Sequence, residues 1–384
     1  MSKIISILGS TGSIGLSSLS IIDKKKKYFK LNVFSANKNY KQICNQIKKY
    51  KPKFFIISDY STFKKIKKKF NKKSTKILNS FEKINCKKSD ITISAIPGID
   101  GLPHTINFIK KSKKILIANK ESIICGWNLI NSLAKKTKTK IIPIDSEHFS
   151  IFKLLESHKI SDIKKIYLTA SGGPFLNYKI SKIKNIKARD ALSHPKWKMG
   201  KKISVDSATM MNKMLELIEA QKLFGIPKEK LEIIIHPESL VHAIIELENG
   251  LLKFIYHETS MVVPIANAIF DGKLDISNFL KNKTKIENLS FKKPDKKIFP
   301  ILKIKDKINE FKSTPIILNS ANEVLVEEFL KKRLPFLSIS EVLISILKDR
   351  NYKNYAVKEP SNIDKILKIT NWAKKTTYKK LNIN

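Results

Sequence analysis

Over its first 145 residues the chain alternates short apolar runs with lysine-rich amphipathic stretches, and this alternation restricts its fold more than any other feature. The runs at 4–8, 31–34, 54–57, 91–94, 115–117 and 141–144 have the length of strands, and stretches with helical spacing, such as 38–49 and 121–136, separate most of them. A repeat of this kind predicts a parallel, doubly wound, Rossmann-like α/β sheet, because parallel strands must be joined by crossovers. Right-handed crossovers place the binding loops at the carboxyl ends of the strands.

The segment GSTGSIG, residues 9–15, follows the first strand and opens a helix. Glycines there let backbone amides approach a pyrophosphate, and the helix N-terminus favours its charge. The spacing is GxxGxxG rather than GxGxxG, so a plain glycine-rich turn competes with dinucleotide binding. The second strand leads into SANKN, with no acid between Lys24 and Asp59. An NAD enzyme carries an acid there for the ribose hydroxyls, whereas a cation such as Lys38 suits the 2′-phosphate of NADP.

Beyond residue 146 the pattern changes. A helix over 149–156, an apolar run at 166–170 ending in SGGPF, and strands at 231–235 and within HPESLVHAIIEL and LLKFIYHE predict an α+β domain over 146–280. Residues 281–312, weakly patterned and punctuated by Pro294 and Pro300, read as a linker. Helices expected over 315–332, 339–348 and 363–374 form a C-terminal helical domain at 313–384.

The densest chemistry lies at 193–216, SHPKWKMGKKISVDSATMMNKMLE. Pro195 and Gly200 break its first half, and from about Ala208 it reads as one helix. On that helix Asn212 and Lys213 lie four and three residues before Glu216, so all three can share a face. An ammonium and an amide suit a phosphate or hydroxyl, and a carboxylate suits a metal; a solvated helix face is the plain alternative. Asp145 is expected at the carboxyl end of the strand at 141–144, with Glu147 pointing the same way on an extended backbone. Neighbouring carboxylates repel unless a cation or proton intervenes. With Glu216 they offer three hard oxygen ligands suited to Mg²⁺ or Mn²⁺. A helix N-terminus that favours acids competes as an account of DSEH.

The formal net charge is +42, and only Arg189, Arg333 and Arg350 of the 75 basic residues are arginine. Nucleic-acid recognition draws on clustered arginine for bidentate contacts, whereas these lysines are spread along the chain, so no specific nucleic-acid partner is expected. Cys44, Cys86 and Cys125 have no pairing or CxxC spacing, which suits a reducing compartment. No apolar run approaches the ~20 residues of a membrane span, and no signal peptide precedes the first strand, so a cytoplasmic protein is expected.

These pieces occur together, and in this order, in one family. The chain resembles 1-deoxy-D-xylulose 5-phosphate reductoisomerases in GSTGSIG at 9–15, ANKES at 118–122, DSEH at 145–148, ASGGPF at 170–175, SHPKWKMGKKISVDSATMMNK at 193–213, HPES at 236–239 and LNSANE at 318–323. The resemblance implies an NADPH domain at 1–145, a central catalytic domain that also forms a homodimer, and the C-terminal helices. It implies rearrangement of a sugar phosphate followed by reduction with NADPH, giving 2-C-methyl-D-erythritol 4-phosphate, an isoprenoid precursor. By motif, Thr11, Gly12, Ser13 and Ile14 would hold the pyrophosphate. Asn37, Lys38 and Asn39 would meet the adenosine end, with Asn119, Glu121 and Gly200 along the cofactor. Asp145, Glu147 and Glu216 would bind Mg²⁺ or Mn²⁺. Lys120, Ser146, Glu147 and Glu216 would face the substrate, and Ser171, His194, Ser207, Asn212 and Lys213 would grip its phosphate end. Lys120, Glu147 and His194 would be catalytic, with Trp197 and Met199 on a lid.

The chain departs from the family pattern at Asn37 and Met214, where glycine is usual, and in ETSMVVPI at 258–265, which lacks charges usual before its proline. Two other classes compete: a metal-free Rossmann-type dehydrogenase, which would want a cysteine nucleophile in a loop, and a basic RNA-binding protein.

Overall fold

The computed structural model describes residues 2–382 apart from 71–73, 83, 198 and 281–287. The opening of the expected linker, 281–287, therefore lies outside the described residues. The chain forms two compact units.

The first comprises Met1–Ser122, Asn128–Phe149 and Ser260–Lys283. Its sheet contains β1 (Lys3–Leu8), β2 (Phe29–Ala36), β3 (Phe54–Ile57), β4 (Lys76–Leu78), β5 (Ser89–Ser94), β6 (Ser112–Ile117) and β7 (Lys140–Pro143), in the order β4-β3-β2-β1-β5-β6-β7. Every neighbouring pair is parallel. The strands are largely buried, as in a sheet covered on both faces; Ile5, Ile7, Phe34, Phe55, Ile93 and Leu116 are buried. The strand order reverses between β1 and β5, and ligands of open α/β sheets bind at such a reversal, beyond the carboxyl ends of the strands. The helix Val262–Phe270 joins this unit from far along the chain. Lys114 Nζ fastens it, donating to the Ala268 carbonyl and to Asp271 Oδ1, each at 2.8 Å.

The second unit comprises Ile123–Trp127, Ser150–Thr259 and Thr284–Asn384. Its sheet, in the order β11-β10-β8-β9, contains β8 (Ile163–Ala170), β9 (Leu231–Ile235), β10 (Val241–Leu247) and β11 (Leu252–Tyr256). The β8–β9 pair is parallel and the others are antiparallel. The helix Met211–Phe224 packs on β8 and β9 through a face that buries Met214, Leu217 and Ile218. The helix Thr314–Leu330 is buried almost along its length, against Lys201–Thr209, Phe336–Ile346 and Ile363–Lys380. Phe299, Ile301, Leu302 and Ile304 are also buried, so the later part of 281–312 contributes to this packing.

Two local expectations are corrected. Asp145 and Glu147 do not lie on an extended backbone. The Asp145 carbonyl accepts from the Phe149 amide at 2.8 Å, so Asp145 caps the helix Ser146–Leu154, and Glu147 sits in its first turn. Acids are favoured there by the positive end of the helix. The unbroken helix expected from about Ala208 is in fact two helices, Lys201–Thr209 and Met211–Phe224, separated by Met210 at φ 69° and ψ 3°. Burial of the Met210 side chain, 2% exposed, holds a conformation that a methionine rarely adopts alone.

Candidate active site

In the first unit the glycine loop is preformed. Gly9 has φ +84°, and a Cβ there would lie 2.5 Å from the Ala95 carbonyl oxygen; a Cβ on Gly15 would lie 2.5 Å from that of Gly9. Only glycine fits either place. Ser10 Oγ donates to Gln46 Oε1 at 2.6 Å, anchoring the loop from beneath. Gly12 caps the helix Ser13–Lys24 without a side-chain bond, so its first amides are available to an anion. Gly12 and Ser13 are exposed, and Thr11 and Ile14 half-buried. Asn37, Lys38 and Asn39 are exposed just beyond β2, and Asn39 Oδ1 caps the next helix by accepting from the Gln42 amide at 3.2 Å.

Asn119 proves to be a structural clasp. Its Oδ1 caps the helix Lys120–Thr137 by accepting from the Ser122 amide, and its Nδ2 donates to the carbonyls of Ile96 and Gly98. It thereby fixes the 96–98 loop after β5, and Glu121 is buried beside it in the first helical turn. The next residue, Lys120, places Nζ 2.7 Å from Asp145 Oδ2. His148 Nδ1 lies 3.2 Å from Asp145 Oδ1, and Ser146 Oγ donates to Glu147 Oε2 at 2.6 Å. Burial alone would raise the Asp145 carboxyl; the Lys120 ammonium and His148 outweigh it and hold that carboxyl well below the usual range.

In the second unit β8 runs into Ser171, Gly172 and Gly173, and a Cβ on Gly173 would lie 3.1 Å from the Ser207 carbonyl oxygen and 3.2 Å from Ala208 Cα. The paired glycines thus let this loop lie directly on the helix that carries Ser207. His194 Nδ1 accepts from the amides of Lys196 (3.2 Å) and Trp197 (2.9 Å), which leaves the ring proton on Nε2. Nε2 then donates to Ser171 Oγ at 3.0 Å, which also accepts from the Gly173 amide at 3.1 Å. With both acceptor sites filled, the Ser171 hydroxyl retains its proton for donation. Burial, then the nearby Lys213 charge, push the His194 pKa down to about 4, so the ring is neutral near pH 7.

Beyond Met210, Lys213 Nζ lies 2.5 Å from Glu216 Oε2, and Asn212 Nδ2 donates to Glu216 Oε1. Lys213 is 6% and Glu216 1% exposed, so the face expected from spacing alone is real but buried rather than solvated. The Asn212 carbonyl oxygen is buried without a protein hydrogen bond. Gly200 is exposed and caps the Lys201–Thr209 helix. Trp197 meets His242 edge-on at 5.9 Å, and His242 stacks on His257 at 4.0 Å. These two histidines carry no motif and escape notice in the sequence, and β10, buried along nearly its whole length, gives no alternation that would single out His242.

Family models match the chain over residues 5–126 ("1-deoxy-D-xylulose 5-phosphate reductoisomerase"), 141–224 (the C-terminal domain of the same enzyme) and 257–376 ("DXP reductoisomerase C-terminal domain"). A 1-deoxy-D-xylulose 5-phosphate reductoisomerase of Pelagibacter ubique is 45% identical over 379 residues, covering 96% of this chain and 97% of the relative. The chain belongs to the 1-deoxy-D-xylulose 5-phosphate reductoisomerase family. The reductoisomerase of Wolbachia pipientis wMel is 42% identical over 90% of both chains. Among solved reductoisomerases, that of Zymomonas mobilis in complex with NADPH matches 99% of both chains at a TM-score of 0.87 and 30% identity. One in complex with NADPH, fosmidomycin and magnesium matches 99% of this chain and 98% of the other at 0.91 and 30%. As a reductoisomerase the chain departs from a cysteine-dependent dehydrogenase: Cys44 and Cys125 are buried, and burial pushes the Cys86 thiol up.

Proposed function

We infer that this chain catalyses the NADPH- and divalent-metal-dependent conversion of 1-deoxy-D-xylulose 5-phosphate to 2-C-methyl-D-erythritol 4-phosphate, in isoprenoid precursor biosynthesis. The observation that carries this is near full-length identity of 45% to a reductoisomerase. The site residues are part of the proposal. Asp145, Glu147 and Glu216 are the carboxylates proposed to hold Mg²⁺ or Mn²⁺. The donor chemistry fits: Asp145 is a half-buried and Glu216 a buried carboxylate, each paired with a lysine ammonium, which is the charge a hard cation would replace. When bound, the metal supplies Lewis acidity toward substrate oxygens and NADPH supplies hydride.

The protein's own groups bind and orient. Thr11, Gly12, Ser13 and Ile14 receive the pyrophosphate on backbone amides. Asn37, Lys38 and Asn39 meet the 2′-phosphate end, and Asn119, Glu121 and Gly200 line the cofactor. Ser171 donates its hydroxyl proton, held in place by neutral His194, to the substrate phosphate; Ser207, Asn212 and Lys213 complete the grip. Lys120 and Ser146 face the substrate hydroxyls, and Trp197 and Met199 close over them to exclude water. Residues 1–145 act as the NADPH domain, 146–280 as the catalytic and dimerisation domain and 313–384 as the helical domain, with 281–312 as a connection whose later part packs into the second unit. A cytoplasmic homodimer is proposed as well. Its support is the edge strand β11, which exposes Leu252 and Phe254, and the lack, among described residues, of any helix long and apolar enough to cross a membrane.

The direct test is NADPH oxidation on adding 1-deoxy-D-xylulose 5-phosphate, with and without divalent metal. Turnover that needs the metal supports the reading. No turnover with substrate, NADPH and metal all present would falsify it.

A further inference from the structure

The motif LNSANE at 318–323 lies outside every role assigned so far, yet its helix is among the most buried in the molecule. Asn322 is fully buried, and its Nδ2 donates to Asp206 Oδ1 at 2.7 Å across 116 residues of chain. Asp206 is itself 1% exposed, and its other oxygen lies 3.0 Å from Lys202 Nζ. A carboxylate so placed is costly unless paired and hydrogen-bonded. The Asn322 carbonyl oxygen has no partner, a further cost that leucine at this position would not carry. For core packing alone both residues are poor choices, so the bond between them needs another reason.

Position supplies one. Asp206 immediately precedes Ser207 on Lys201–Thr209, a nine-residue helix with no side-chain cap that ends at left-handed Met210. Successive helical side chains point about 100° apart, so a carboxylate locked to one neighbour fixes the direction of the adjacent hydroxyl. The same helix is the surface on which the Ser171–Gly173 loop rests.

We propose that Asp206 is a positioning residue which, through its hydrogen bond to Asn322, sets the rotation of the Lys201–Thr209 helix and so aims Ser207 at the substrate phosphate. The helix Thr314–Leu330 thereby becomes part of the phosphate-binding machinery without touching substrate. This rests on the reading of Ser207 as a phosphate ligand.

The test compares Asn322→Ala, Asp206→Asn with Asn322→Asp in one chain, and Ser207→Ala, by steady-state kinetics and thermal unfolding. Losing a buried bond to a carboxylate should raise KM for 1-deoxy-D-xylulose 5-phosphate about tenfold in Asn322→Ala, with KM for NADPH unchanged. The exchanged pair restores a donor opposite a carboxylate and should recover most of that KM. A lowered Tm in Asn322→Ala with unaltered substrate KM overturns the proposal, as does an exchanged pair that regains Tm but not KM. If Asn322→Ala does not fold, Asn322→Ser is measured under the same criteria. Ser207→Ala separates the two layers: a raised KM there beside an unaffected Asn322→Ala rejects only the positioning role, whereas an unaltered KM in Ser207→Ala rejects the Ser207 reading and the proposal with it.

Discussion

The glycine loop of the first unit and the 194–216 region of the second are both proposed to bind phosphate, yet they are built in opposite ways. The loop offers backbone amides on a turn that admits no side chain at Gly9 or Gly15. The other region offers side chains, Asn212 and Lys213 held by Glu216, and its His194 holds Ser171 of the loop after β8. A backbone site depends first on conformation. A side-chain site depends on who holds each group. In a chain of net charge +42, the second kind stays selective because its lysine is buried and paired with an acid.

The largest expected effect sits on the side-chain half. Glu216→Gln should lower turnover by roughly a thousandfold or more, the scale of losing a charged group at a reacting centre, while NADPH affinity measured by fluorescence stays intact. Weakened NADPH binding in that variant would erase the division between the two halves. Next comes the loop. Gly9→Ala adds a Cβ into the Ala95 carbonyl at φ +84° and should destabilise the protein by on the order of 1–3 kcal/mol. KM for NADPH should rise while KM for the sugar phosphate does not. A milder change is Lys38→Ala, expected to cut the preference for NADPH over NADH about tenfold through a lost phosphate contact; an unaltered ratio of kcat/KM for the two cofactors assigns the 2′-phosphate elsewhere.

The last effect is on pH. His194 has its pKa lowered from 6.5 to about 4 in the folded protein. Its contribution is therefore fully present above the unfolded value of 6.5 and is lost as pH falls toward 4, because the unfolded chain takes up the proton first. Unfolding midpoints across that window should fall less steeply for His194→Asn than for the parent; parallel curves would show that the ring is not held neutral.

How legible all this is from sequence follows from local physics. The six apolar runs of the first unit stand out because central parallel strands are buried on both faces, whereas three-residue β4 (Lys76–Leu78) at the sheet edge is too short to register. The spacing of Asn212, Lys213 and Glu216 on one helical face is readable from helix geometry alone. The break at Met210 is not, since tertiary packing imposes it on a residue with no intrinsic wish for positive φ. Glu147 is misread because its strand ends at Pro143, one residue sooner than the apolar run suggests. The motif residue Asn119 is legible, but its work as a clasp on the 96–98 loop emerges only from contacts made across the chain.

The attachment of Val262–Phe270 to the first unit bears on how the protein is made. A nascent chain released after β7 would present the surface beside β6 with no helix to cover it. The last helix of the first unit emerges only some 120 residues after β7, so that unit is completed late in synthesis.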